Sequence, residues 1–150
     1  MRKSLMLLVF VGTASLYAAD PYVGTWKFNA EKSVSTTKAP PPKEVTILIE
    51  EQGEGLYVAL TGTAANGTKM VNKFSGHIGG TMKLLESQYE SITTKSIAPN
   101  IRELTYVVGG KEVSWQHAIL SGDGKTLCLV TRGVNPQGAY AETIQVYDKQ

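Results

Sequence analysis

The sequence has few of the residues on which several classes of protein depend. It contains one cysteine, Cys128, among its 150 residues, which excludes an internal disulfide framework and a cysteine-based zinc site. Its two histidines, His77 and His117, lie in separate segments and are too few for a dedicated metal site. Six prolines and 15 glycines are scattered, so collagen and low-complexity tracts are excluded as well. The chain length and 42% hydrophobic residues are typical of one folded domain.

Catalytic motifs are missing too. The sequence has no Gly-x-Ser-x-Gly elbow, no phosphate-binding loop and no His-Glu-x-x-His segment. Cys128 lies in an apolar run, 126–130, where a thiol is expected to pack as a small hydrophobic side chain. Residues 121–125 lack the spaced acidic oxygens of a calcium loop and are interpreted as a hairpin turn. We therefore expect no enzyme, no catalytic residue, no metal and no cofactor.

Charge of one sign is not in excess. The chain carries 15 basic and 13 acidic residues, spread without clusters. Arg2 and Lys3 are the only charged residues among the first 19, so without this segment the basic count falls from 15 to 13 and equals the acidic count of 13. A near-neutral protein has no basic stripe for phosphates, which argues against nucleic-acid binding.

The first 19 residues have the layout of a secretory signal peptide. Arg2 and Lys3 precede an apolar run, 5–11, and Ala18 and Ala19 end the segment. The alternative is a membrane anchor, but an anchor needs about 20 apolar residues, and this run is shorter. We predict a signal peptide over 1–19, one domain over 20–150, a secreted or periplasmic location and no membrane span after cleavage. Cleavage after Ala18 and cleavage after Ala19 both remain open.

The rest of the chain alternates with period two between turn residues. Val45, Ile47 and Ile49 alternate with other side chains, and the same pattern recurs over 56–61. Only 81–90 has a helical spacing of apolar residues. We predict an all-β, antiparallel up-and-down β-barrel of about eight to nine strands. After a first strand around Trp26, the candidate strands are 44–50, 56–61, 70–74, 90–97, 101–108, 112–120, 125–132 and 139–147.

Two of the connections carry specific predictions. The pair Asn66–Gly67 predicts a type I′ hairpin turn, since both residues tolerate positive φ. The polar arm 33–38 and the three prolines at 40–42 are interpreted as a spacer that leads into the second strand.

The segment Gly24-Thr25-Trp26, on the first strand before an antiparallel meander, resembles the lipocalin or wider calycin group. The resemblance implies a lipocalin-like barrel in which Gly24 allows close backbone approach and Trp26 closes one end. It also implies a cationic side chain from a late strand lying across the indole ring. Arg132 is the candidate, with Lys149 as the alternative.

Further segments are similar to small secreted proteins of environmental bacteria, especially acidobacteria. They are the opening Asp-Pro-x-x-Gly-Thr-Trp-Lys from Asp20, the pair Lys32-Ser33, the three prolines, and the stretches 123–127 and 146–149. This resemblance implies the fold and no particular activity.

Two candidate strands combine polar and apolar residues on one face. Trp115 and His117 share a face of 112–120, and Tyr140 and Glu142 share a face of 139–147. If these faces point into the barrel together with Tyr106, they form a pocket with apolar walls and a few polar groups. The predicted function is binding of a small hydrophobic or amphipathic ligand. A further hypothesis is a haem-binding barrel that resembles nitrobindin, with a histidine such as His117 as the haem ligand.

The alternative function is a periplasmic protein-interaction or inhibitor module with a barrel filled by its own side chains. Its candidate contact regions are the polar arm 33–38 and the connection 76–90.

Overall fold

Ten β-strands form a closed antiparallel barrel in the computed structural model. The structure describes residues 18–37, 39–134 and 138–150, and no membrane-spanning helix occurs in these ranges. Each strand pairs with the next along the chain, and the first pairs with the last. The predicted all-β up-and-down barrel is confirmed, with ten strands instead of eight or nine. The strands are β1 Gly24–Ser35, β2 Glu44–Gln52, β3 Gly55–Thr63, β4 Lys69–Gly76, β5 Thr81–Glu86, β6 Ser91–Ala98, β7 Ile101–Val108, β8 Lys111–Leu120, β9 Thr126–Val134 and β10 Tyr140–Lys149.

The alternation of β2 and β3 supplies much of the core. Val45, Ile47 and Ile49 are buried, as their spacing predicts. Leu60 lies opposite Ile47, and Val58 lies opposite Ile49, so these side chains share the inner face. Full burial of each such side chain contributes about 1.5–3 kcal/mol, and this face belongs to the larger of two hydrophobic core clusters among the described residues.

The additional strand is β5, in the segment with the helical spacing. Its Met82 lies opposite Ile92, and its Leu84 lies opposite Phe74, so both point into the barrel. Leu85 breaks the alternation and is half exposed on the outer face. This one exposed leucine produced the helical spacing, because it put two apolar residues next to each other.

The predicted type I′ turn is wrong in type, although its position is correct. Asn66 does not have a positive φ, whereas Gly67 has a φ of 88°. The Gly67 amide donates to the Ala64 carbonyl oxygen, and the Ala64 amide donates to Thr68. A longer loop with a single left-handed residue, supplied by Gly67, therefore connects β3 and β4.

The predicted spacer begins later than expected, because β1 continues through Ser35. The register between β1 and β10 shifts between Asn29 and Val34, so the strand bulges there. The Ser33 hydroxyl stabilises the bulge: it donates to the Asn29 carbonyl oxygen at 2.7 Å and accepts from the Val146 amide at 2.9 Å. Lys38, the end of the predicted polar arm, lies outside the described residues.

Trp26 closes one end of the barrel. Its side chain is completely buried, and its indole nitrogen donates to the Tyr22 carbonyl oxygen at 2.9 Å. The Lys149 ammonium lies 5.0 Å from the centre of the indole ring, where it makes a cation–π contact. The prediction that Arg132 supplies this cation is wrong. Arg132 pairs with Glu142 near the start of β10, whereas Lys149 is at the end of that strand, beside the pair of Asp148 with Thr126.

The contact of Lys149 with Trp26 also explains why position 24 is a glycine. A Cβ atom at this position would lie 2.6 Å from Lys149 Cε, so a side chain would push the lysine off the indole. The spacing Gly24-x-Trp26 thus leaves room for the lysine stem that crosses the ring.

Gly133 provides a test of the barrel packing. Its φ is 138°, and an added methyl group would contact the Val113 carbonyl oxygen and lie 2.6 Å from Ser114 Cα. We expect Gly133→Ala to lower the free energy of unfolding by about 2–4 kcal/mol, because it combines backbone strain with overpacking. Urea unfolding measures the change. Gly122→Ala is the control, since no atom of the described residues lies within 4 Å of its added carbon. Equal effects of the two substitutions would contradict this packing.

Candidate ligand-binding cavity

The barrel encloses an apolar cavity of about 90 Å³. The wall is formed by strands β2 to β9 together with Tyr22 and Ile78, because inward positions of neighbouring strands in a closed barrel face the same space. Most of the lining side chains are aliphatic or aromatic, and they include Ile47, Val58, Phe74, Met82, Leu104 and Leu129.

A chain of hydrogen bonds crosses one side of the cavity wall. The Tyr106 hydroxyl donates to Gln116 Oε1 at 3.0 Å, and Gln116 Nε2 donates to Thr131 Oγ1 at 2.8 Å. Burial strongly raises the pKa of the Tyr106 phenol, with smaller contributions from neighbouring tyrosines. The phenol is therefore neutral at physiological pH, and it acts as a hydrogen-bond donor that fixes the Gln116 amide.

Asn72 presents an unpartnered polar group to the cavity. It lies on β4 opposite Leu60, on the inner face, and it lines the cavity. Its Oδ1 atom is buried and has no hydrogen-bond partner within the part of the chain that the structure describes. Leaving a buried acceptor unpaired costs about 1–3 kcal/mol. A ligand with a hydrogen-bond donor would remove that cost.

Arg102 is the charged side chain at the cavity wall, and its charge is compensated. One guanidinium nitrogen donates to Asp20 Oδ2 at 2.5 Å, and the guanidinium carbon lies 3.8 Å from the centre of the Tyr22 ring. The side chain is only 14% exposed. Because Asp20 and Tyr22 hold the guanidinium, the cavity presents no free charge along its described lining.

Thr94 fixes the loop that borders the cavity between β4 and β5. Its hydroxyl accepts from the Gly79 amide at 3.2 Å and lies 3.4 Å from the carbonyl oxygens of His77 and Gly80. This anchoring places Ile78, in the middle of the loop, on the cavity wall.

Of the five side chains predicted to bind a ligand, the structure places Tyr106 in the cavity wall. Trp115 and His117 lie on the outer face of β8, and they are 38% and 48% exposed. Tyr22 lies against β8 from inside, since its hydroxyl donates to the Ala118 carbonyl oxygen at 3.0 Å. The inner face of β8 therefore consists of Ser114, Gln116, Ala118 and Leu120. The prediction that Trp115 and His117 point into the barrel is wrong.

Tyr140 and Glu142 also face outward. Tyr140 is 60% exposed, and its hydroxyl donates to Glu142 Oε1 at 2.8 Å. The strand register places Arg132 between Glu142 and Trp115. Trp115, His117, Arg132, Tyr140 and Glu142 thus lie together on the outside of β8, β9 and β10, which we call the outer patch.

Neither histidine lines the cavity. His117 Nε2 lies 3.1 Å from Glu103 Oε2 on the outer surface, and His77 Nδ1 lies 3.1 Å from the Glu54 carbonyl oxygen at the barrel end. The hypothesis that His117 ligates a haem inside the barrel is therefore wrong. Burial raises the pKa of the Cys128 thiol, which keeps it protonated, and a protonated thiol is a poor nucleophile.

Sequence reasoning missed Asn72, Gln116 and Arg102. A signal for Asn72 was present, because it alternates with Met70 and Phe74 and therefore shares their inner face. Gln116 was missed because the wrong face of β8 was taken as the inner one. Nothing in the sequence indicated that Arg102 would meet Asp20, which lies 82 positions earlier.

Comparisons with known proteins support the fold. No protein-family model matches the sequence, and no curated protein matches it. The zebrafish ileal bile acid-binding protein, solved with cholic acid, is 14% identical; the match covers 87% of this chain and 99% of that protein, with a TM-score of 0.51. Lobster apocrustacyanin A1 is 12% identical, with a TM-score of 0.47, and the match covers 88% of this chain and 62% of that one. At 14% identity the likeness to the bile acid-binding protein shows a shared fold.

Two buried tyrosines give a matched pair of tests at neutral pH. Tyr106→Phe leaves Gln116 Oε1 without its donor, so we expect a loss of about 1–3 kcal/mol in unfolding free energy. The Tyr147 hydroxyl is buried without a partner among the described residues, so Tyr147→Phe is expected to be neutral or stabilising. Urea unfolding compares the two variants, and a larger loss for Tyr147→Phe would contradict the hydrogen-bond assignment.

The same tyrosines predict alkaline behaviour. Burial raises the pKa of both Tyr106 and Tyr147 in the folded protein. Above about pH 10 the unfolded chain ionises these phenols while the folded protein does not, so stability falls as the pH rises. Each tyrosine contributes a slope of about 1.4 kcal/mol per pH unit. Replacing either one with phenylalanine should make the measured fall shallower, and an unchanged slope would count against burial of that phenol.

Proposed function

We propose that this protein binds a small uncharged molecule, largely apolar and with one polar group, inside its barrel. We further propose that it does so outside the cytoplasm and without catalysing a reaction. The observation that carries the proposal is the apolar cavity with Asn72 at its wall, whose buried Oδ1 atom has no hydrogen-bond partner among the described residues. The fold shared with a bile acid-binding protein supports it, because that protein was solved in complex with cholic acid.

The charge of the ligand follows from Arg102. A carboxylate in the cavity would need a cation, and the Arg102 guanidinium already has Asp20 and Tyr22 as partners. A ligand carboxylate that took the Arg102 guanidinium from Asp20 would leave the Asp20 carboxylate without its cation in a partly buried position, at a cost of several kcal/mol. An uncharged ligand meets no such cost.

The size of the ligand follows from the cavity volume. About 90 Å³ is well below the roughly 300–1,000 Å³ of typical ligand pockets. A ligand of more than a few heavy atoms therefore requires lining side chains to move. Met82 is suited to such a movement, because its unbranched side chain has three rotatable bonds and adapts to irregular spaces.

The polar group of the ligand is assigned to Asn72. A hydroxyl both donates and accepts, so it can pair with either atom of the side-chain amide. Gln116 is less available, since Tyr106 and Thr131 already hold both ends of its amide. A ligand oriented in this way directs its apolar part along the aliphatic walls.

Export is proposed on the signal-peptide layout of residues 1–19. Residues 1–17 lie outside the described part of the structure, and strand pairing of the barrel begins at Gly24. The described strands close into a barrel from Gly24 onward, which is compatible with removal of 1–19.

A barrel that acts through its outer surface is the second candidate function. The small cavity favours it, and so do the exposed apolar side chains of Trp115 on β8 and of Tyr140 and Ile144 on β10. Under this alternative the interior serves only stability, and no small molecule enters it.

Octanol, octane and octanoate separate the two candidates. We expect octanol to displace the neutral dye N-phenylnaphthylamine from the protein and octanoate to fail at neutral pH, because the cavity offers no free cation. Asn72→Leu should weaken octanol binding about 3- to 10-fold, the value of one hydrogen bond, and leave octane binding unchanged or stronger. Dye fluorescence and native mass spectrometry measure the binding.

Trp115→Ala is the matched control, since it removes a large side chain from the outer patch and leaves the cavity intact. We expect unchanged octanol binding. If neither the dye nor octanol binds the unmodified protein, the interior is filled by side chains and the second candidate stands. Loss of binding in Trp115→Ala with full binding in Asn72→Leu would move the site to the outer patch.

A further inference from the structure

Asp20 is the residue at which the chain becomes attached to the barrel. Its amide donates to Glu51 Oε1 at 3.0 Å, and its carbonyl oxygen accepts from the Val23 amide at 3.0 Å. One carboxylate oxygen accepts from the Tyr22 amide at 2.9 Å, and the other accepts from Arg102. Every polar group of this residue is therefore used within the fold. Ala18 and Ala19, which precede it, are exposed.

The partner of the Asp20 amide is a carboxylate. In the uncut chain this contact is a hydrogen bond from a neutral peptide N–H to Glu51. Cleavage of the peptide bond between Ala19 and Asp20 by water would leave the carboxylate on Ala19 and a free amine on Asp20. At neutral pH that amine is protonated and carries three donors. The same atom, 3.0 Å from Glu51 Oε1, would then form an ion pair.

We infer that signal peptidase cleaves between Ala19 and Asp20, and that the new Asp20 ammonium pairs with Glu51 to complete the closure of this barrel end. The sequence leaves cleavage after Ala18 equally open. That cleavage would put the ammonium on exposed Ala19, one residue (about 3.8 Å of chain) from the position beside Glu51. Only the cut after Ala19 converts the observed contact into an ion pair.

The local charge supports the same cut. The groups that face Asp20 at this end are the carboxylates of Glu51 and Glu54, the His77 imidazole and the Arg102 guanidinium, with Tyr22 beside them. With the Asp20 carboxylate included, three negative charges face one permanent positive charge before cleavage. Cleavage after Ala19 would add a second positive charge on the Asp20 nitrogen, which lies 3.0 Å from Glu51 Oε1.

The ion pair has a defined dependence on pH. Pairing with Glu51 raises the pKa of the new ammonium above the value of about 8 for a free amino terminus. The added stability is therefore fully present below about pH 7 and is lost as the pH rises through the raised pKa. Because the pair is exposed, its effect on the melting temperature is small, about 1–3 °C.

The first test is the intact mass of the protein recovered after expression of the full chain in an exporting bacterium. The expected product begins at Asp20. A product that begins at Ala19 or elsewhere overturns the inference and leaves the proposed export standing. An uncut product overturns both. The outcome is independent of ligand binding, so it is separate from the cavity proposal.

The second test compares chains that begin at Asp20 and at Ala19. Glu51→Gln is expected to lower the melting temperature of the Asp20 chain by about 1–3 °C near pH 6.5, and the loss should vanish near pH 10. The same substitution in the Ala19 chain should have a smaller effect that does not change with pH. Glu54→Gln is the matched control, because it removes a neighbouring carboxylate that does not contact the Asp20 amide. Equal effects of Glu51→Gln in both chains would overturn the ion pair.

Discussion

The contacts between Tyr22 and Trp26 determine how this barrel is closed. The buried indole donates to the Tyr22 carbonyl oxygen, while the Tyr22 hydroxyl reaches across the barrel to the Ala118 carbonyl oxygen. These two bonds hold the segment before β1 across the barrel opening. Two cations then cover the two rings, Arg102 over the phenol and Lys149 over the indole. Without this segment, this end of the barrel would be open to water.

Closure at this end also sets the electrostatics of the interior. Arg102 lines the cavity, and an unpaired guanidinium there would attract anions. Its pairing with Asp20 removes that attraction and at the same time fixes the chain before Tyr22. What remains along the described cavity wall is neutral: the hydrogen-bonded pair Tyr106 and Gln116, and Asn72 with an unpaired oxygen. Stability alone would favour an aliphatic side chain in place of Asn72, since the unpaired amide costs free energy. A hydrogen-bond donor on the proposed ligand would pair with Asn72 Oδ1 and remove that cost.

The sequence predicted the repeat of the strands well and their orientation poorly. Alternation reveals the period of a strand, but the inner face is fixed by register, and a shift of one residue reverses every side chain. In β2 the more apolar face is the inner one, so the prediction was correct. In β8 the outer face carries Trp115, while the inner face carries small residues such as Ala118, because Tyr22 occupies the space beside it. A bulge after Tyr106 sets this register, and the sequence gives no sign of it. The contact of Lys149 with the ring of Trp26 depends likewise on the pairing of β1 with β10, which only the closed barrel reveals.

The least paired part of the barrel wall is also part of the cavity wall. β5 pairs with β6 through Thr81 and Met82, and one further backbone hydrogen bond joins Thr94 to Gly80. Long ladders such as that of β2 with β3 surround the rest of the cavity. Local opening requires the least free energy where the fewest backbone hydrogen bonds must break. The movement of Met82 that the proposed ligand would require is therefore easiest at β5, the strand that carries Met82. In the proposed binding mode Asn72 on β4 would orient the ligand, whereas Met82 on β5 would make room for it. These two roles fall on different strands, and neither strand belongs to the segment that closes the barrel end around Tyr22 and Trp26.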